Sequence, residues 1–179
     1  MLKYIYFSLF LVLYSCSDFG KSGQLDSIEK MTKTIDSLSI VLEEYPIDKI
    51  EEISYDFAQN EERIQLNLKS TDTINLDLGK KLDALKKIRF SFRPLKEMNE
   101  KLHLDFINEL KVLHNLENDI TSSNGERVNY SKNVEVEIKK VNDLKNLLLT
   151  YTNKRQEAIS VYEKHKIDLE QFANSISQN

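Results

Sequence analysis

From Val134 to Ile176 every seventh residue reads Val134, Val141, Leu148, Arg155, Tyr162, Leu169 and Ile176. Three places after each come Glu137, Leu144, Tyr151, Ala158, His165 and Phe172. Only Arg155, Glu137 and His165 interrupt an apolar or aromatic stripe, and no Gly or Pro falls within it. Seven residues bring an α-helix back to the same side every two turns. A repeat held this long therefore describes one helix with one face buried along its length. At 1.5 Å of rise per residue that helix is roughly 65–70 Å long. A lone helix cannot cover its own stripe, so the chain upstream has to supply partners.

The upstream chain is built for that. Four Gly, two Pro and no Trp stand among 179 residues, 30% of them charged and 40% hydrophobic. So few breakers favour helix over sheet. A first arm starts near Leu25, with Ile28, Ile35 and Leu42 seven apart and Met31, Leu38 and Tyr45 three places later. Across Tyr45-Pro46 the stripe slips by one residue and resumes as Ile50, Phe57 and Ile64, with Ile47, Ile53 and Leu68 beside it. Proline removes a backbone donor and biases the residue before it away from helical angles, so a kink or short break is expected at Pro46. Lys69-Ser70-Thr71-Asp72-Thr73 reads as turn and cap. A second arm begins about Asn75, its seam running Leu78, Leu85, Phe92, Asn99, Phe106, Leu113, Ile120, with Ile88, Leu95, Leu102 and Leu116 adjoining. Its phase runs straight through Pro94, which predicts one kinked helix rather than two. Thr121-Ser122-Ser123-Asn124-Gly125 is the strongest loop signal, and Asn129 or Ser131 caps the third arm.

Three arms of similar length joined by two short turns fold up-down-up. The expected fold is all-α: an elongated, coiled-coil-like antiparallel three-helix bundle over residues 25–177, with proline kinks near residues 46 and 94. Mirroring residues about each turn puts Pro46, Pro94 and Arg155 at about one height. A full reversal at Pro46 would instead give two short helices beside a long hairpin; the three-arm reading is preferred.

The N-terminus reads as an address. Lys3 is the only charge in the first fifteen residues, and Tyr4 to Leu13 is a nearly unbroken apolar run, too short for a permanent membrane span. It leads into Leu13-Tyr14-Ser15-Cys16, which resembles the lipobox of bacterial lipoproteins, with Leu at −3, a small residue at −1 and Cys at +1. Tyr14 is bulkier than the usual residue at −2. The resemblance covers about the first twenty residues. It implies a signal peptide over 1–15, cleavage between Ser15 and Cys16, a diacylglyceryl group on the Cys16 sulfur, and a new α-amine open to acylation such as palmitate. More than one acyl chain makes anchoring effectively stable. Ser17 rather than Asp after the cysteine implies, by the same resemblance, export to the outer membrane. Residues 16–24, with Gly20 and Gly23, read as a polar tether between lipid and fold.

The candidate sites are few. Arg155 at a seam position needs a partner if buried. Glu51, Glu97 and Tyr151 fall near its height. Together they define a possible polar mid-bundle layer, read first as a register-setting ion pair or a snorkelling arginine and second as a ligand or partner site. His103, His114 and His165 fall too far apart along antiparallel helices for a three-histidine metal site, so neither metal nor cofactor is expected. Lys80, Lys81, Lys86, Lys87, Arg89, Arg93 and Lys96 form a basic run, but the first arm faces it with Asp48, Glu51, Glu52, Asp56, Glu61 and Glu62. Charge pairing between neighbouring arms accounts for both runs. The net charge of −4 argues against nucleic-acid binding. The single Cys16 excludes an intrachain disulfide and leaves no thiol in the helical region.

Nothing resembles a nucleophile–base pair, a phosphate loop or a catalytic carboxylate pair, so no enzymatic activity is expected. The chain reads as a lipid-anchored structural or interaction module of a bacterial envelope: an adaptor, spacer or accessory subunit with a membrane anchor and a protein partner. Exposed heptads also allow pairing into a homodimer. The second reading is a surface or periplasmic ligand-binding lipoprotein that uses the kinked middle layer.

Overall fold

A computed structural model describes the backbone of residues 2–67, 76–123 and 127–177. It describes side chains from Gly20 onward, except those at 77, 78, 81, 88, 91, 127, 128 and 177. Four helices follow one another: α1 (Leu2–Glu44), α2 (Asp48–Asn67), α3 (Leu76–Ser122) and α4 (Arg127–Ser177). The protein is all-α, with three long helices packed antiparallel.

Pro46 makes the break between α1 and α2. Without an N–H it cannot donate to Leu42, whose carbonyl instead accepts from Tyr45 N at 3.1 Å. A new helix starts at once, with Ile47 O accepting from both Ile50 N and Glu51 N. Within the second unit, side-chain bonds from Asp56 to Tyr162 and Arg63 to Asn174 join α2 to α4 in step. Pro94, by contrast, lies inside α3, which continues through it. At the end of α3, Ser123 turns into the left-handed region at φ 56° and closes the helix with a bond to Ile120 O. A residue in this conformation is a common helix stop. α4 then starts at Arg127, ahead of both Asn129 and Ser131, either of them expected as its cap.

The chain forms two compact units. Residues 1–41 and 103–146 make the first, and residues 42–102 and 147–179 the second. The stretch 25–177, read from the sequence as one bundle domain, contributes to both. In the first unit Ile28, Met31 and Ile35 of α1 are buried, as are Phe106, Leu113 and Ile120 of α3 and Val134, Val141 and Leu144 of α4. In the second the buried set is Ile50, Ile53, Phe57 and Ile64 of α2, Leu85, Phe92 and Leu95 of α3, and Leu148, Tyr151, Ala158 and Leu169 of α4. These are the seam residues that the seven-residue repeat picks out. Towards the end of α4 the buried position moves from Phe172 to Ala173. A straight helix has 3.6 residues per turn, so a strict seven-residue stripe drifts round it by about 20° per repeat. Leu68 lies outside the described residues, and Leu78 and Ile88 outside the described side chains.

The N-terminal region differs from a tether: Gly20 to Gln24 are helical and belong to α1. Two glycines in a helix interior cost roughly 0.5–1 kcal/mol each relative to alanine. Neighbouring helices offset this. Lys21 Nζ donates to Thr121 O at 2.9 Å, and Gln24 Nε2 donates to Ser131 Oγ at 2.9 Å. The side chains of residues 1–19, Cys16 among them, lie outside those described. Among the described residues no helix is long and apolar enough to cross a membrane.

Candidate functional site

The polar layer expected around Arg155 exists in the second unit, with different partners. Arg155 is 8% exposed, and its Nε donates to Pro46 O at 3.0 Å. Its guanidinium lies 5.7 Å from the centre of the Tyr45 ring, within cation–π range. Tyr151, fully buried one helical turn earlier on α4, donates from its hydroxyl to Tyr45 O at 2.8 Å and accepts from Asn99 Nδ2 at 3.2 Å. Burial pushes the Tyr151 phenol above its usual 10.0, against opposing pulls from Asn99 and Arg155.

The logic of the layer is that of a helix end. The break leaves the Tyr45 and Pro46 carbonyls, just past the end of α1 at Glu44, outside the helical hydrogen-bond ladder. Two side chains of α4 reach across and donate to them, one of them a cation near the negative end of the α1 dipole. Arg155 is thus neither snorkelling nor set in an ion pair with an acid: its partner is a backbone carbonyl.

Glu51 and Glu97 do not join it. Glu51 pairs with Lys96 at 2.6 Å and Glu97 with Arg93 at 2.8 Å, all four on the surface. At positions flanking the seam, water and a nearby lysine or arginine solvate a carboxylate more cheaply than the interior can. Of the four residues proposed for the layer, the structure brings together Arg155 and Tyr151 and leaves out Glu51 and Glu97. It adds Asn99, whose place on the α3 seam was legible but whose bond to Tyr151 depends on the register between helices.

The charge complementarity between arms is present. Lys96 reaches Glu51 and Arg89 reaches Glu61, both joining α3 to α2. A further polar cluster joins α2 to α4: buried Asn60 bonds Asp56 O and Arg63, Arg63 bonds Asn174, and Tyr162 donates to Asp56.

Glu109 is the residue the sequence reading passed over. It is fully buried on α3 in the first unit, with Lys140 of α4 at 2.6 Å. The signal was there, since Leu102, Glu109 and Leu116 are seven apart on the adjoining seam. The histidines stand apart from any such cluster: His103 and His114 are exposed and His165 is half-buried. Among the described residues no group of three or more His, Cys, Asp or Glu side chains is placed to hold a metal ion.

Two grooves flank the layer in the second unit. One, of about 450 Å³, runs between α2 and α3, over Ile47, Ile50, Tyr55, Ala58 and Phe92, with the Glu51–Lys96 pair at its edge. The other, of about 360 Å³, lies beside Pro94 between α3 and α4. It is floored by Leu95, Met98, Ala158 and Val161, with Lys87, Lys154 and Glu157 also lining it.

Set against models of protein families, curated proteins and solved structures, the chain matches none.

Proposed function

We propose that this protein is a lipid-anchored module of a bacterial envelope that works by contact, as an adaptor, spacer or accessory subunit, and that it performs no catalysis. The observation that carries the reading is Leu13-Tyr14-Ser15-Cys16 at the end of the apolar run from Tyr4. By its resemblance to a lipobox it assigns acylation to Cys16, and Ser17 after the cysteine favours the outer membrane for the anchored end. A contact role is supported by the middle layer, where Arg155, Tyr151 and Asn99 satisfy one another and the α1 end, leaving little polar chemistry to offer a ligand. It is supported too by large apolar side chains outside the core seams. In the first unit these include Leu104 and Ile107 on α3 and Val136 on α4, all more than half exposed. Solvent-facing apolar groups of this kind are what a partner surface uses.

The groove beside Pro94 favours a second reading, a lipoprotein that binds an amphipathic ligand with its apolar part on Leu95, Met98 and Val161 and its charge near Lys87 and Lys154.

The test is crosslinking in the native cell followed by affinity purification, comparing the unaltered chain with Cys16→Ala. The anchored-adaptor reading expects a stoichiometric envelope protein with the unaltered chain and its loss from the variant, together with metabolic labelling of Cys16 by a fatty acid. A chain that takes up no fatty acid overturns the anchor. A labelled chain that recovers nothing in either form overturns the adaptor and leaves the groove reading.

A further inference from the structure

The first unit contains a carboxyl pair that the contact role does not use. Glu109 on α3 has no solvent exposure, and neither of its carboxyl oxygens has a hydrogen-bond donor in proper geometry. Glu137 on α4, half-buried, faces it and likewise keeps a buried Oε2 without a donor. Among the described residues the one cation in contact is Lys140, 2.6 Å from Glu109 Oε2 and 47% exposed at its side chain. Two ionised carboxylates against one lysine leave a net negative charge at a buried place and two acceptors face to face. One proton on the pair cures both: the charges balance, and a carboxyl O–H supplies the missing donor.

We propose that Glu109, Glu137 and Lys140 form a proton-dependent clasp between α3 and α4 of the first unit, closed when the carboxyl pair holds one proton and loosened when that proton leaves to solvent. The proton is lost as Glu–COOH goes to Glu–COO⁻ and H⁺; no other bond changes. The groups around the pair fit this. On α3 the next acid is Asp105, one turn away, which acts on Lys140. On α1, the Gln24–Ser131 and Lys21–Thr121 bonds set Lys30 and Lys33 at this level. Both are exposed: Lys33 is engaged with Glu29 at 2.6 Å, and Lys30 also acts on Glu29. The α1 surface that faces inward here is Met31 and Ile35, which offer no charge.

Burial, then the hydrogen bond and the charge of Glu109, hold the Glu137 carboxyl above its usual 4.5, with Lys140 pulling the other way. A folded pKa raised above the unfolded one contributes stability that is full below 4.5 and is lost as pH rises through the raised value. The clasp therefore closes in acid and slackens towards alkaline pH, the reverse of a salt-bridged carboxylate.

Carboxyl-carbon NMR titration of the full chain in detergent micelles tests the proton directly, with no substitution. The expected result is that the Glu137 carboxyl keeps its proton above pH 4.5; its loss by that pH overturns the proposal. Lys140→Met is expected to move this titration further up, and a downward move overturns it. Hydrogen exchange then reads the clasp. After correction for intrinsic exchange, opening of the α3–α4 segment around residues 109 and 137 is expected to rise up to about tenfold per pH unit within the window. Glu137→Gln, which carries a permanent donor, is expected to abolish that rise. The same pH dependence in the variant as in the unaltered chain overturns the clasp.

Discussion

Replacing Tyr151 by Phe removes one oxygen from the middle layer and leaves the ring and its packing in place. That oxygen serves two groups. It donates to Tyr45 O at 2.8 Å and accepts from Asn99 Nδ2 at 3.2 Å, and both Tyr151 and Asn99 are buried. A buried polar group left without a partner costs about 1–3 kcal/mol. With two such groups, and some relief from water entering near the Pro46 break, Tyr151→Phe should destabilise the protein by about 2–4 kcal/mol. Urea unfolding followed by far-UV circular dichroism measures this, the midpoint falling with little change in slope. A double-mutant cycle sharpens it. In Asn99→Leu with Tyr151→Phe only the Tyr45 carbonyl is stranded, so the double change should cost about 1–2 kcal/mol less than the sum of the singles. Alkaline pH gives an independent reading. The folded phenol is raised above 10.0, so its contribution is full below that value and is lost as pH climbs through the raised one. Tyr151→Phe lacks this loss, and the two proteins should converge at high pH. A Tyr151→Phe protein within about 0.5 kcal/mol of the original, the noise of a neutral surface change, would refute the capping account of the layer.

Arg155→Leu should lower stability by about 1.5–3 kcal/mol, the range for a hydrogen bond to a charged group; a thermal midpoint that rises instead would show the arginine to be a cost the fold tolerates. Gly20→Ala and Gly23→Ala bear on whether the segment before Leu25 is helix or tether. A Cβ at either position meets no atom within 4 Å. Each should therefore add about 0.5–1 kcal/mol and increase helical circular dichroism, whereas a tether would register neither change.

The fold was legible because its driving pattern is one-dimensional. A seven-residue apolar repeat specifies a helix and the face it buries before any partner is known. Ile28, Ile35, Leu85, Leu113, Leu148 and Leu169 went to the core as that repeat predicts. Pro46 could be read as a break because a missing N–H acts within its own helix. Cys16 is likewise read from its neighbours in sequence and from nothing else.

What only the tertiary structure decided is which polar groups meet. Arg155 was visible as an anomaly, but helical rise places a partner to no better than a turn, and one turn separates an acid from a backbone carbonyl. The register set Arg155 on Pro46 O and Tyr151 on Tyr45 O, and it left Glu51 and Glu97 to surface lysine and arginine. Glu109 shows the same limit from the other side. A glutamate on a seam costs the interior several kcal/mol if ionised and alone, and nothing in α3 by itself says that Glu137 and Lys140 will lie against it. Local sequence dictates which side of a helix is apolar, because that depends on one residue every seven. The pairing of buried polar atoms depends on the relative height of two helices to within a few ångströms, and all the contacts along them set that height together.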